Sequence, residues 1–85
     1  LIYRKQVSDI LYGISPKLTV HDFRAIFGLR YIDLIFDILV PYDFMLSEKE
    51  LQKRIDEGLS KNNPKVHTII TFDHAFTAIA DKADM

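Results

Sequence analysis

The sequence contains no cysteine. That excludes disulfides, thiolate metal sites and thiol nucleophiles, and it fits a reducing cytosol better than a secreted setting. No apolar run approaches the roughly 18 residues that a membrane span requires. No secretory signal is visible either, because Arg4 and Lys5 interrupt the apolar start. Neither sign of charge dominates: 11 Lys and Arg stand against 12 Asp and Glu. No basic patch stands out along the chain, so nucleic-acid binding has little support. The three glycines are scattered and form no phosphate loop. No nucleophile, base and orienting group occur in a readable arrangement, so the chain is read as a binding module and not an enzyme.

What is present is one small domain. At 85 residues the core is thin, and a chain of this size without disulfides commonly relies on metal or on oligomerisation. The mean hydropathy of +0.02 suits a domain that buries one face of its elements. The chain starts at Leu1 without a Met, which suggests a fragment of a longer protein.

The clearest pattern lies between Leu18 and Pro41. In its second half Ile32, Leu34, Phe36, Ile38 and Val40 alternate with Tyr31, Asp33, Ile35, Asp37 and Leu39. A period of two predicts a strand with one wholly apolar face, which needs a covering layer, and one mixed face. Leu18 to Phe27 predicts a preceding strand, with His21, Phe23, Ala25 and Phe27 on one side and Val20, Asp22, Arg24 and Ile26 on the other. Gly28 supplies the turn, and so short a connection requires antiparallel pairing. Pro41 removes a backbone donor and ends the second strand.

Leu1 to Tyr12 predicts an amphipathic helix, with Tyr3, Val7, Ile10, Leu11 and Ile14 spaced by three and four on one side. Gly13 is expected to end it in a left-handed conformation, and Pro16 to prevent its resumption. A second helix opens at Ser47-Glu48-Lys49-Glu50, a capping-box pattern with Leu46 and Leu51 placed as a hydrophobic staple. Leu51, Ile55 and Leu59 form its apolar stripe, and Asn62-Asn63-Pro64 is expected to stop it through residues that tolerate positive φ. Val66 to Asp73 predicts a third strand, with Val66, Thr68, Ile70 and Phe72 opposite His67, Ile69, Thr71 and Asp73. His74 to Met85 is expected to be a short helix or a tail.

The expected order is helix, strand, strand, helix, strand. This predicts an α+β two-layer sandwich whose three-stranded sheet carries both helices on one face, a truncated ferredoxin-like fold. The crossover from the second to the third strand is expected to be right-handed.

The run His21-Asp22-Phe23-Arg24, then Gly28, then Leu34-Ile35-Phe36-Asp37 with Val40-Pro41, resembles the cytosolic C-terminal domain of cation diffusion facilitator metal transporters. The Ser47-Glu48-Lys49-Glu50-Leu51 helix start, Pro64 before a strand, and Thr68 to Asp73 extend the likeness over roughly Val7 to Asp73. The resemblance implies a domain on the cytoplasmic side of the cell membrane with a metallochaperone-like fold. It implies an upstream transmembrane domain that exchanges a divalent cation for protons, a homodimer, and regulation by a cation bound near the dimer interface. That cation would be zinc, or manganese, cobalt, nickel, cadmium or iron.

The ligand positions carry over in part. His21 matches a recurrent first-strand histidine, and Asp73 matches an acid that closes the third strand. Phe36, Leu51 and Thr71 stand where the resemblance implies histidines. What it leaves is a single metal site using His21, Asp73 and a carboxylate such as Asp37 or a ligand from a partner chain. The plainer alternative for His21 is a strand residue hydrogen-bonded to its neighbours.

His67 and His74 would lie about 23 Å apart on an extended strand and are read as solvated. Asp33 and Asp37, about 13 Å apart, are too distant for paired acid–base chemistry. They are read as surface carboxylates, with Arg24 or Arg30 as salt-bridge partners across the hairpin. Ile35, Leu39 and Ile69, with Phe23 or Phe27, are expected to leave an apolar patch on the uncovered sheet face, which points to a homodimer unless the tail folds over it. A rival reading is a small-molecule-sensing regulatory module on a ferredoxin-like sheet. A soluble metal carrier would need a paired-cysteine loop that is absent.

Overall fold

The structure, a computed structural model, describes residues 2–75. The elements follow the expected order: α1 (Ile2–Ile14), β1 (Thr19–Phe27), β2 (Ile32–Val40), α2 (Glu48–Asn62) and β3 (Val66–His74). β2 lies at the centre of the sheet, antiparallel to β1 and parallel to β3. The fold is therefore α+β, with both helices packed on one face of the sheet. The expected helix or tail lies outside the described residues beyond Ala75, and His74 belongs to the third strand.

The alternation of β2 sets the layer. Leu34, Phe36, Ile38 and Val40 are buried under the helices, where Val7 and Leu11 of α1 and Leu51, Ile55 and Leu59 of α2 meet them. Each fully buried aliphatic or aromatic side chain of this kind contributes roughly 1.5–3 kcal/mol. The two helices approach closely at Gly58, where an added Cβ would stand 2.8 Å from the Ile10 Cδ1.

β1 departs from the expected faces. His21 pairs with Asp37 and Arg24 with Ile35, so Asp22 and Phe23 together oppose the single residue Phe36. This is a β-bulge, and Asp22 adopts the left-handed region at φ 53. The extra residue reverses the alternation. Val20 and Phe23, three apart, both turn toward the helices, and Phe23 stacks on Phe36 at 5.7 Å between ring centroids. His21 lies on the open face with Arg24 and Ile26, not with Phe23, Ala25 and Phe27 as strict alternation predicted.

The local stops also differ in mechanism. α1 continues through Gly13, and no glycine has positive φ among the described residues. The chain turns at Ser15–Leu18 instead: the Leu18 amide donates to the Ser15 carbonyl, and the Lys17 amide to the Ser15 hydroxyl. Asn63 ends α2 in an extended conformation at φ −155, donating its amide to the Leu59 carbonyl. Its side-chain oxygen accepts from the Lys65 amide. Gly28 serves the hairpin by size: its amide donates to the Tyr31 carbonyl, whose oxygen would stand 3.1 Å from an added Cβ. β2 then begins at Ile32.

At the start of α2, Ser47 accepts from the Glu50 amide at 3.1 Å, as expected. The return bond of the capping box does not form among the described residues. Glu50 accepts from Arg54 at 3.0 Å instead.

Two outcomes follow from these contacts. Ser47→Ala is expected to cost about 1 kcal/mol in urea unfolding, and Glu50→Ala clearly less, because only the serine caps a backbone amide. Asp22→Val is expected to cost on the order of 1–2 kcal/mol, since a β-branched residue is strained at positive φ, whereas Asp22→Gly keeps the bulge without that strain. Equal losses for the valine and glycine variants would show that the bulge depends on the Asp22 carboxylate and not on its backbone.

Candidate functional site

The uncovered face of the sheet is a grid fixed by strand register. One row across it is His21, Asp37, Thr71, and the next toward the strand ends is Thr19, Leu39, Asp73. In the other direction come Arg24, Ile35, Ile69 and then Ile26, Asp33, His67. All three predicted ligands therefore share this face. His21 and Asp37 are direct cross-strand neighbours, and Asp73 stands one strand over and two residues along.

The histidine is exposed, and its Nε2 lies 3.0 Å from the Thr19 hydroxyl oxygen. A threonine hydroxyl is a weak tether, and it leaves Nδ1 available to a ligand. Asp37 is half-buried. Desolvation at the sheet surface, first, then a hydrogen bond to Asp22 and the negative charges of Asp73 and Asp22 raise its pKa above the usual carboxylate value. The Arg24 guanidinium opposes the shift without reversing it. Asp22, Phe23, Arg24 and Asp37 border a shallow depression at the bulge.

Asp22 was not singled out as a ligand in the sequence, because its position depends on the bulge. The bulge brings its carboxyl to Asp37, two residues off the ordinary register. Among the described residues no three His, Asp or Glu side chains are close enough together to hold a metal ion. One chain thus brings His21 and Asp37 together and leaves Asp73 beside them, short of a complete set of ligands.

The other histidines have partners. The His67 ring stacks on Tyr31 at 4.2 Å between centroids, with Nδ1 4.0 Å from an Asp33 oxygen. His74 turns to the helix side and meets the Glu48 carboxylate at 2.5 Å, tying the end of β3 to the start of α2. Both histidines are exposed, as expected, and each also has a neighbour; Asp33 faces His67 rather than an arginine across the hairpin. A further polar tie joins the layers: the Gln52 amide donates to the Thr68 hydroxyl at 2.6 Å, and that hydroxyl donates to Asp56 at 2.6 Å.

The apolar part of the face is Ile26 and Ile69, each 54% exposed, with the half-buried Ile35 and Leu39. Ile26 takes the place expected for Phe23 or Phe27, because the bulge turns those phenylalanines to the helix side.

The raised Asp37 sets a pH dependence. An acid whose folded-state pKa lies above its unfolded value favours the folded state when protonated, and that stabilisation is lost as pH rises through the two values. Asp37→Asn is therefore expected to melt higher than the parent at neutral pH, with the difference vanishing well below the ordinary carboxylate value of 3.8. A variant that melts lower than the parent at neutral pH would contradict that sign.

No family model matches the chain, and no curated protein or solved structure matches it.

Proposed function

We propose that this chain is a cytosolic dimerisation domain of a proton-coupled divalent-cation efflux transporter of the zinc type, and that a cation bound between two copies tunes the transporter. It catalyses no reaction. The observation that carries this is the composition of the open face. One uncovered surface holds Ile26, Ile35, Leu39 and Ile69 beside His21, Asp37 and Asp73. An apolar patch of this kind on a small domain favours burial against a second copy. The imidazole and carboxylates at its margin are borderline-to-hard ligands suited to zinc, manganese, cobalt or nickel, and not to soft cations.

A single chain falls short of a closed ligand set, so the partner copy supplies the rest. His21 is the principal ligand, with Asp73 and Asp37 as the carboxylates. Asp22 stands beside Asp37 at the bulge and adds negative charge to the site. The resemblance of His21–Arg24, Leu34–Asp37 and Thr68–Asp73 to cation diffusion facilitators points to the same role.

Titration with Zn²⁺ is expected to raise the melting temperature, since a ligand held only by the folded state stabilises it by mass action. Sedimentation should report a dimer that tightens with the metal. Ile69→Glu is expected to yield monomers, and His21→Ala and Asp73→Ala should each remove most of the metal-induced shift. A full shift in both of these variants would remove the two residues from the site. A dimer indifferent to every cation tried would leave dimerisation standing and metal sensing not.

A further inference from the structure

The end of the molecule that carries the β1–β2 hairpin differs from the rest of the surface. Topology gathers five chain segments there: the start of α1, the end of β1, the start of β2, the end of α2 and the start of β3. The gathering is visible in contacts. Tyr3 lies against Phe27 at 6.1 Å between ring centroids, Asn63 donates to the Tyr3 hydroxyl, and the Ile32 amide donates to the Lys65 carbonyl.

Leu29 stands at the hairpin tip with 105% relative exposure, as bare as a side chain can be, and Phe27 is 67% exposed beside it. Arg30, Lys61 and Lys65 are exposed at the same end, and among the described residues none of the three pairs with a carboxylate. The one carboxylate of these segments in the sheet, Asp33, faces His67. Asp56 and Glu57 precede Lys61 on α2, with Asp56 turned to Thr68, and other acids lie toward the far end, where Asp43 meets Lys17 and Glu48 meets His74.

We propose that the hairpin end is a peripheral docking surface for an anionic lipid bilayer, with Leu29 as the inserted side chain and Arg30, Lys61 and Lys65 as the cations facing lipid phosphates. This goes beyond the transporter reading and stands without it. An apolar side chain projecting past a set of cations is the arrangement that interfacial binding needs: the aliphatic group leaves water for the acyl boundary while the cations remain at headgroup level. Nucleic acid fits less well. A phosphate backbone gives Leu29 nothing to enter, and one face of the Tyr31 ring is already stacked on His67. No helix among the described residues is long and apolar enough to cross a membrane, so the contact is with the surface.

The test is co-sedimentation of the full chain with vesicles of equimolar phosphatidylglycerol and phosphatidylcholine, against vesicles of phosphatidylcholine alone. Binding is expected only to the anionic vesicles and should weaken as salt rises. Lys61→Glu with Lys65→Glu should weaken it by about 25-fold or more, on the basis of roughly a fivefold loss per cation. Lys49→Glu with Lys53→Glu, an equal charge change in the first half of α2, should leave binding near the parent value. The chain has no tryptophan, so Leu29→Trp reports the tip alone, and its emission should shift to the blue on anionic vesicles only. Circular dichroism checks that each variant folds. No enrichment on anionic vesicles, equal loss in the α2 control, or no emission shift would each overturn the proposal. So would binding to duplex DNA as tight as to vesicles and indifferent to Leu29→Ser.

Discussion

β1 has to serve two layers with a backbone that alternates every residue. Val20 and Phe23 are both needed beneath the helices, yet they are three apart, and a regular strand would turn one of them outward. The extra residue at Asp22–Phe23 resolves the conflict, at the cost of a left-handed aspartate. Much of the open face follows from that. With the bulge, Phe23 stacks on Phe36 while His21 stays outside opposite Asp37, and Asp22 is carried to within hydrogen-bond reach of Asp37. Without it, either the core would lose an aromatic ring or the histidine would be turned toward the helices. The chemistry on the open face is in this sense a by-product of how the covered face is packed.

What could be read from the sequence was what is decided locally. β2 declares itself because its neighbours along the chain alternate cleanly. Ser47 declares itself because a cap and the amide it serves are three residues apart, and the stripes of both helices have helical spacing. The errors concern features decided across the fold. The faces of β1 depend on which residues of β2 lie opposite. Gly13 and Asn63 carry residue types that often adopt positive φ, but Ser15 and Pro16, and the extended Asn63, stop the helices without it. The same holds for charge. Arg30, Lys61 and Lys65 are spread over three segments, so no basic run is visible along the chain, and only the topology assembles them. Among the candidate residues, the sequence placed His21, Asp37 and Asp73 on strands, and register puts all three on the open face, whereas the approach of Asp22 to Asp37 depends on the bulge.

The electrostatics of the open face have a direction. The raised pKa of Asp37 reflects its partial desolvation first, and then its contact with Asp22 and the negative charges of Asp73 and Asp22, against the opposing Arg24. A proton is held more firmly there than by an isolated carboxylate. Any cation that reaches the same place is favoured by the same Coulomb term, and it also relieves the repulsion among the three acids. A stable fold has no need for this crowding.

The proposed pairing through the open face and the proposed docking through the hairpin end constrain each other by geometry. When two copies meet sheet to sheet, the twofold axis lies in the plane between them. If it runs across the strands, the two hairpin ends point in opposite directions, and only one can meet a flat surface. The row of His21, Asp37 and Thr71 lies near the middle of β2, so it still meets its own copy when the axis passes over it. If the axis runs along the strands, height is preserved, so each row of one copy meets the same row of the other. The histidine and carboxylates of the proposed site then face a second set of the same kind. That axis also places both hairpin ends side by side, doubling the apolar tips and the cations presented to a membrane, so the second contact follows the first at high effective concentration. Either axis can bring the proposed ligand row against its own copy, but only the strand-parallel axis also levels the two tips.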